Sequence, residues 1–200
     1  MKSIYKFLLP VVLCLTFVCA AGCSTAPKTE AKRRNLVSQA TDALHQFKQA
    51  DPSVDPFLKK AYGYAVFPGI GKGAIGVGGA YGHGVVYEQG KFAGYCDVSQ
   101  GSIGLQLGGQ EFSELIAFQN KQTLDNFKAN NLKFSAQASA VAVTAGAATA
   151  ANYQHGVCVF TETVGGLMYE ASVGGQKFDF VAWSDPQKPK SPDTSVAETE

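Results

Sequence analysis

Nothing constrains this chain more than the placement of its glycines. Residues 63–109 carry 15 of the 22, interleaved with Val, Ile, Tyr and Phe. Glycine is about 1 kcal/mol per residue worse than alanine inside a helix, and within a strand it marks a bend, a bulge or a close backbone approach. The pairs Gly76/Gly78 and Gly82/Gly84 alternate with Val77 and His83, a period of two rather than 3.6. The segment predicts tightly curved antiparallel strands over 64–67, 74–79, 83–88, 91–98 and 102–108, with Gln89-Gly90 as a hairpin turn.

The flanks read differently. Leu36, Ala40, Ala43, Leu44 and Phe47 recur at helical spacing, with Asn35 as the expected N-cap and an end near Ala50 before Asp51-Pro52. A second short helix is expected to open at Asp55-Pro56, with Asp as cap, Phe57, Leu58 and Ala61 inward and Lys59-Lys60 outward. Leu115, Ile116 and Phe118 suggest a strand, followed by a helix over 121–129. Phe134, Ala136, Ala138, Ala140 and Ala142 alternate on one face, and further strands are expected near 156–163, 166–172 and 176–182, with Gly174-Gly175 as a turn. From Ser184 the chain carries Pro186, Pro189 and Pro192 and few apolar residues, the composition of a disordered tail. The fold class expected is α+β: a curved, mostly antiparallel, glycine-rich sheet or barrel-like β core with N-terminal helices and one internal helix.

Before this domain stands a different kind of sequence. Lys2 and Lys6 precede an apolar run, Phe7–Val18, and Ala20-Ala21-Gly22 leads into Cys23. A basic n-region, an apolar h-region and a small-residue cleavage site make a signal peptide over 1–22. Pro10 interrupts the run, which falls short of the ~20 apolar residues of a membrane span. The cysteine directly after the small residues resembles a bacterial lipobox, which implies that the Cys23 thiol is acylated (by palmitate, for example) and becomes the new N-terminus. Ser24 rather than Asp follows, which by the same resemblance favours the outer membrane, with the body in the periplasm. Residues 23–34 then read as a polar tether and 35–183 as the domain. Lys32, Arg33 and Arg34 close the tether, either against anionic head groups or as a solvated linker end.

Without the signal, 15 basic residues face 16 acidic ones. Such a balance lacks the basic stripe of a nucleic-acid binder, so an anionic ligand must meet a local patch. Cys14 and Cys19 leave with the signal; Cys96 and Cys158 remain. An oxidising compartment permits a disulfide between them, and two buried free thiols are the alternative.

Motifs of catalysis are absent. Gly71-Lys-Gly73-Ala-Ile-Gly76 fits G-x-G-x-x-G, but a pyrophosphate site needs a helix next, and Val77-Gly-Gly-Ala-Tyr-Gly82 cannot make one. Ser102 lacks the first glycine of a nucleophile elbow. No HExxH or CxxC supports a metal between His83 and His155. The expectation is a protein that is not an enzyme and holds no cofactor or metal. Tyr81-Gly-His83-Gly84-Val85 echoes Tyr153-Gln-His155-Gly156-Val157, a likeness in common residues that reads as coincidence.

Lys60-Ala-Tyr-Gly-Tyr-Ala-Val-Phe-Pro68, the glycine run, Gly101-Ser-Ile-Gly-Leu-Gln-Leu-Gly-Gly109 and the stretch from Val159 to Gly175 together resemble the SYLF domain family, over about residues 35–182. Members of that family in eukaryotes bind phosphoinositide-containing membranes, fungal members also bind actin, and bacterial members are often secreted lipoproteins. The resemblance implies a membrane phospholipid partner with anionic head groups, met by Lys59, Lys60 and Lys72. Actin is not expected in a periplasm. The chain has Phe92-Ala-Gly-Tyr-Cys96 in place of a Trp-Ser-Ala-Pro-like segment, and Thr144-Ala-Gly-Ala-Ala-Thr149 in place of a Gly-Pro-Leu-Gly-Arg-like one, so that arginine does not carry over. An envelope protein partner docking on sheet edges is the alternative, with lipid merely localising the chain.

Overall fold

A computed structural model describes residues 27, 29–75, 77–103, 108–130, 141–142, 144–163 and 176–184. In chain order the elements are α1 (Glu30–Ala50), α2 (Val54–Lys60), β1 (Gly63–Ile75), β2 (Val77–Glu88), β3 (Lys91–Ile103), β4 (Gly108–Phe118), α3 (Lys121–Lys128), β5 (Val141–Ala142), α4 (Ala147–Ala150), β6 (Val157–Thr163) and β7 (Gln176–Ala182). The strands form one sheet in the order β5-β6-β4-β1-β2-β3-β7. Its pairings are antiparallel apart from the short parallel contact of β5 with β6. The α+β class expected from the sequence is the class found.

Apart from the Gln89-Gly90 turn, the described glycine-rich segment is strand, but the strands are longer than their local patterns suggest. Of the expected strand 102–108, the first residues end β3, Gly108 opens β4 and 104–107 lie outside the described residues. Segments 64–67 and 74–75 belong to one strand, β1, which continues through a bulge between Val66 and Gly69. Pro68 sits in that bulge, and its carbonyl accepts a hydrogen bond from Ser113 Oγ at 2.7 Å. The expected strand 74–79 is instead divided between β1 and β2, since Ile75 pairs with Val77. Gln89-Gly90 is the turn expected of it: φ is +49° and +77°, the left-handed pair that suits a two-residue hairpin.

Helix α1 begins at Glu30 rather than after Asn35, because Thr29 is its cap and accepts from the Lys32 N–H at 3.3 Å. Part of the expected tether is therefore helical. Helix α2 starts at Val54, not at Asp55. The reason is Asp51, whose carboxylate accepts from Ser53 N and Oγ, from Gly146 N and, at 2.7 Å, from Ala148 N. One side chain thus ties the α1–α2 corner to α4, an element not foreseen from local pattern. The expected strand 166–172, the Gly174-Gly175 turn, most of the alternating run from Lys133 and the tail beyond Ser184 lie outside the described residues.

Each face of the sheet carries a buried apolar layer. Val66, Val85, Tyr95, Leu115, Ala117 and Phe160 face outward beneath Leu36, Ala40, Ala43 and Phe47 of α1 and Val54 and Leu58 of α2. Ala65, Phe67, Ile70, Val98, Ile116, Phe118 and Phe178 face inward and close on Leu124 and Phe127 of α3. Gln176 Nε2 of β7 donates to Glu114 Oε2 of β4 at 2.9 Å, although β1, β2 and β3 lie between those strands. At roughly 4.8 Å per strand a flat sheet would hold them about 19 Å apart. The sheet is therefore curled on itself, barrel-like. Gly84 shows what that takes: a Cβ there would stand 2.6 Å from the ring of Phe67 and 2.8 Å from the Val66 carbonyl.

The permitted disulfide is not formed. Cys96 and Cys158 are both free and buried, Cys96 in the inner layer and Cys158 in the outer, so the sheet itself separates the thiols. Burial pushes the Cys158 thiol up to about 12 and that of Cys96 well above its usual range, which keeps both protonated and inert.

Candidate functional site

Helix α2, too short to be stable alone, is held by Val54 and Leu58 and thereby presents Lys59 and Lys60 to solvent. These lysines line an open cleft of about 670 Å³ with Lys48 of α1, Tyr62 and Tyr64 of β1 and Gln89 of the hairpin turn. Asp55 is its anion, 2.7 Å from Lys48 Nζ and 2.7 Å from Lys59 Nζ. Hydrogen bonds from those two ammonium groups hold the Asp55 carboxyl at about 2 against the opposing effect of desolvation. Lys60 is exposed and makes no ion pair among the described residues. Three cations over one anion leave the cleft with formal charge of about +2.

The aromatic walls are fixed. Tyr64 stacks on Tyr87 at 5.0 Å, and Tyr62 donates to Glu88 at 3.1 Å. Phe57 points inward as expected, stacked on Tyr153 at 5.1 Å and edge-on to Phe160 at 5.3 Å, so it is a packing residue.

Lys72 does not join this cluster. It lies nine residues along β1 from Gly63, roughly 30 Å at 3.3 Å per residue, opposite Ala80 and Gln110 and half-buried. Cys23 lies outside the described residues. No helix among the described residues is long and apolar enough to cross a membrane.

A second constellation was invisible in the sequence. Asp97, 5% exposed, has its carboxylate 2.6 Å from His83 Nδ1 and accepts from Tyr81 OH at 2.9 Å. Burial pushes this carboxyl up while the two hydrogen bonds pull it down, and the net shift is upward. His83 borders a smaller cleft under α1 with Asp42 and Glu111. No group of three metal-ligating side chains occurs among the described residues, and His155, in a turn with φ +53°, is not part of this cluster. The two echoed segments are thus unlike: one is mid-strand, the other a turn.

No protein-family model matches the chain. It is similar to Beta cell expansion factor A of Aeromonas veronii, 27% identical over 155 residues, which is 76% of this chain and 59% of that protein. The chain thus spans somewhat more than half the length of the curated relative it matches.

Proposed function

We propose that this chain is a non-catalytic lipid-binding lipoprotein of the SYLF type, acylated at Cys23, held at the outer membrane with its body in the periplasm, and engaging anionic phospholipid head groups. The observation that supports this reading most is the cleft at α2, where Lys48, Lys59 and Lys60 outnumber Asp55 beside Tyr62 and Tyr64. A phosphate entering there meets the unpaired ammonium of Lys60 first, and competes with Asp55 for Lys59. Cations near an anionic surface contribute about 1 kcal/mol each. Tyrosine suits such a boundary, being apolar in body and polar at its tip. Lys72, apart from this group and on the concave side, is not needed for it.

The test is flotation of the non-acylated mature chain with vesicles. Binding to vesicles containing phosphatidylglycerol, weakening as salt rises, and reduced at least about tenfold by Lys59→Glu with Lys60→Glu, is the expected result. Equal binding to neutral vesicles, or none to either, overturns it. Recovery of one cross-linked envelope protein without vesicle binding favours the protein-docking alternative.

A further inference from the structure

On the outer face an aromatic row crosses the sheet. Tyr87 meets Phe92 at 5.9 Å, Phe92 meets Tyr95 at 5.2 Å, and Phe92 meets Trp183 at 6.1 Å. Helix α1 roofs most of this row, and its last cover is Arg33, whose guanidinium lies 5.7 Å over the Tyr95 ring. Beyond Arg33 the roof stops. Val181, the cross-strand partner of Tyr95, is 39% exposed, and Trp183 is 46% exposed. Their place is fixed by the Trp183 N–H, which donates to the Ala93 carbonyl at 2.9 Å. Lys32 and Arg34, the neighbours of Arg33 on the first turns of α1, stand exposed.

The chain itself says what lies opposite. Cys23 and Thr29 are six residues apart, a span of at most about 20 Å. A bilayer holding acyl chains at Cys23 is therefore always near the start of α1, the end where Trp183 is uncovered. The lysines of α2 follow the other end of a helix about 30 Å long. Indole, apolar with one donor, is suited to the head-group boundary, and basic side chains beside it suit an anionic leaflet.

We propose that Trp183 and Val181, with the exposed Lys32 and Arg34 at the start of α1, form a second membrane contact, bedding into the interface of the bilayer that carries the Cys23 anchor. This rests on the lipid-binding reading above and adds an orientation: the uncovered end of the aromatic row faces the membrane.

Trp183 is the only tryptophan, so indole fluorescence reports this contact alone. The mature chain beginning at Cys23 is coupled through that thiol to a maleimide-bearing lipid in phosphatidylglycerol vesicles, which attaches it whether or not the α2 cleft binds. A blue-shifted emission, quenched by brominated acyl chains, is the expected result. Emission unchanged from the lipid-free chain overturns the contact, whatever flotation of the uncoupled chain shows for the cleft. Emission already blue-shifted without lipid, with a dimer in sedimentation, overturns it in favour of a second copy. Trp183→Ala weakens flotation of the uncoupled chain by roughly tenfold, equivalent to about 1.4 kcal/mol, with an unchanged melting temperature; no change in flotation counts against the contact.

Discussion

Asp51 and Glu114 are both carboxylates taken almost wholly out of water, at 1% and 0% exposure, yet they are driven in opposite directions. Burial pushes both up. At Asp51, in the corner between α1 and α2, bonds from Ala148, Ser53 and Gly146 overcome that push and bring it to about 2. At Glu114, on the inner face of the sheet, burial dominates, the bond from Gln176 offsets only part of it, and the group rests at about 7. Among the described residues, Glu114 Oε1 and Gln176 Oε1 are left without partners, two acceptors with no donor between them. A proton on Glu114 supplies that donor. The supply of N–H and O–H groups, not depth, decides whether a buried acid is kept charged.

The comparison breaks most visibly at Asp51. Asp51→Ala orphans donors from Ser53, Gly146 and Ala148 and is expected to cost about 4 kcal/mol in urea unfolding, with no comparable loss at an exposed acid such as Asp42. Next comes the pH profile of the intact chain. Glu114 is raised above its ordinary 4.5, so the folded state holds the proton more tightly. Stability is then full below pH 4.5 and falls as pH rises through 7, by about 3 kcal/mol. Asp51 runs the other way: its contribution is present above pH 3.8 and lost as pH falls through about 2. A urea midpoint that is flat from pH 4.5 to 7 would remove the contrast. Glu114→Gln sharpens it, since an amide offers Gln176 Oε1 its missing donor without a charge; a gain of about 2 kcal/mol at pH 8, vanishing at pH 4, is expected. Smallest of all is Lys48→Met, which breaks an exposed pair with Asp55; its unfolding midpoint should be indistinguishable from that of the parent.

How far the sequence reached can be judged at the β2–β3 hairpin. Gln89-Gly90 announces the turn, and a two-residue turn with regular pairing would set His83 opposite Cys96. The register slips at Ala93, where Tyr87 pairs with Phe92 but Val86 with Gly94. That single extra residue sets His83 opposite Asp97 instead and moves Cys96 to the inner face. A bulge reverses which side chains share a face, and nothing in Phe92-Ala-Gly-Tyr marks where it falls. The cleft lysines were legible as a pair, because α2 is amphipathic over its two turns. Their separation from Lys72 was not, since it depends on β1 being one strand rather than two.

Local pattern alone determined the glycine-rich antiparallel strands, the packing face of α1, the hairpin at Gln89-Gly90 and the α+β class, because periods of two and 3.6 are written in neighbouring residues. Only the tertiary structure decided that Glu114 meets Gln176 across a curled sheet, that Asp51 binds an element 95 residues away, that Cys96 and Cys158 are kept apart, and that Trp183 is left uncovered. Those depend on register and curvature, which are set by contacts between segments far apart in the chain.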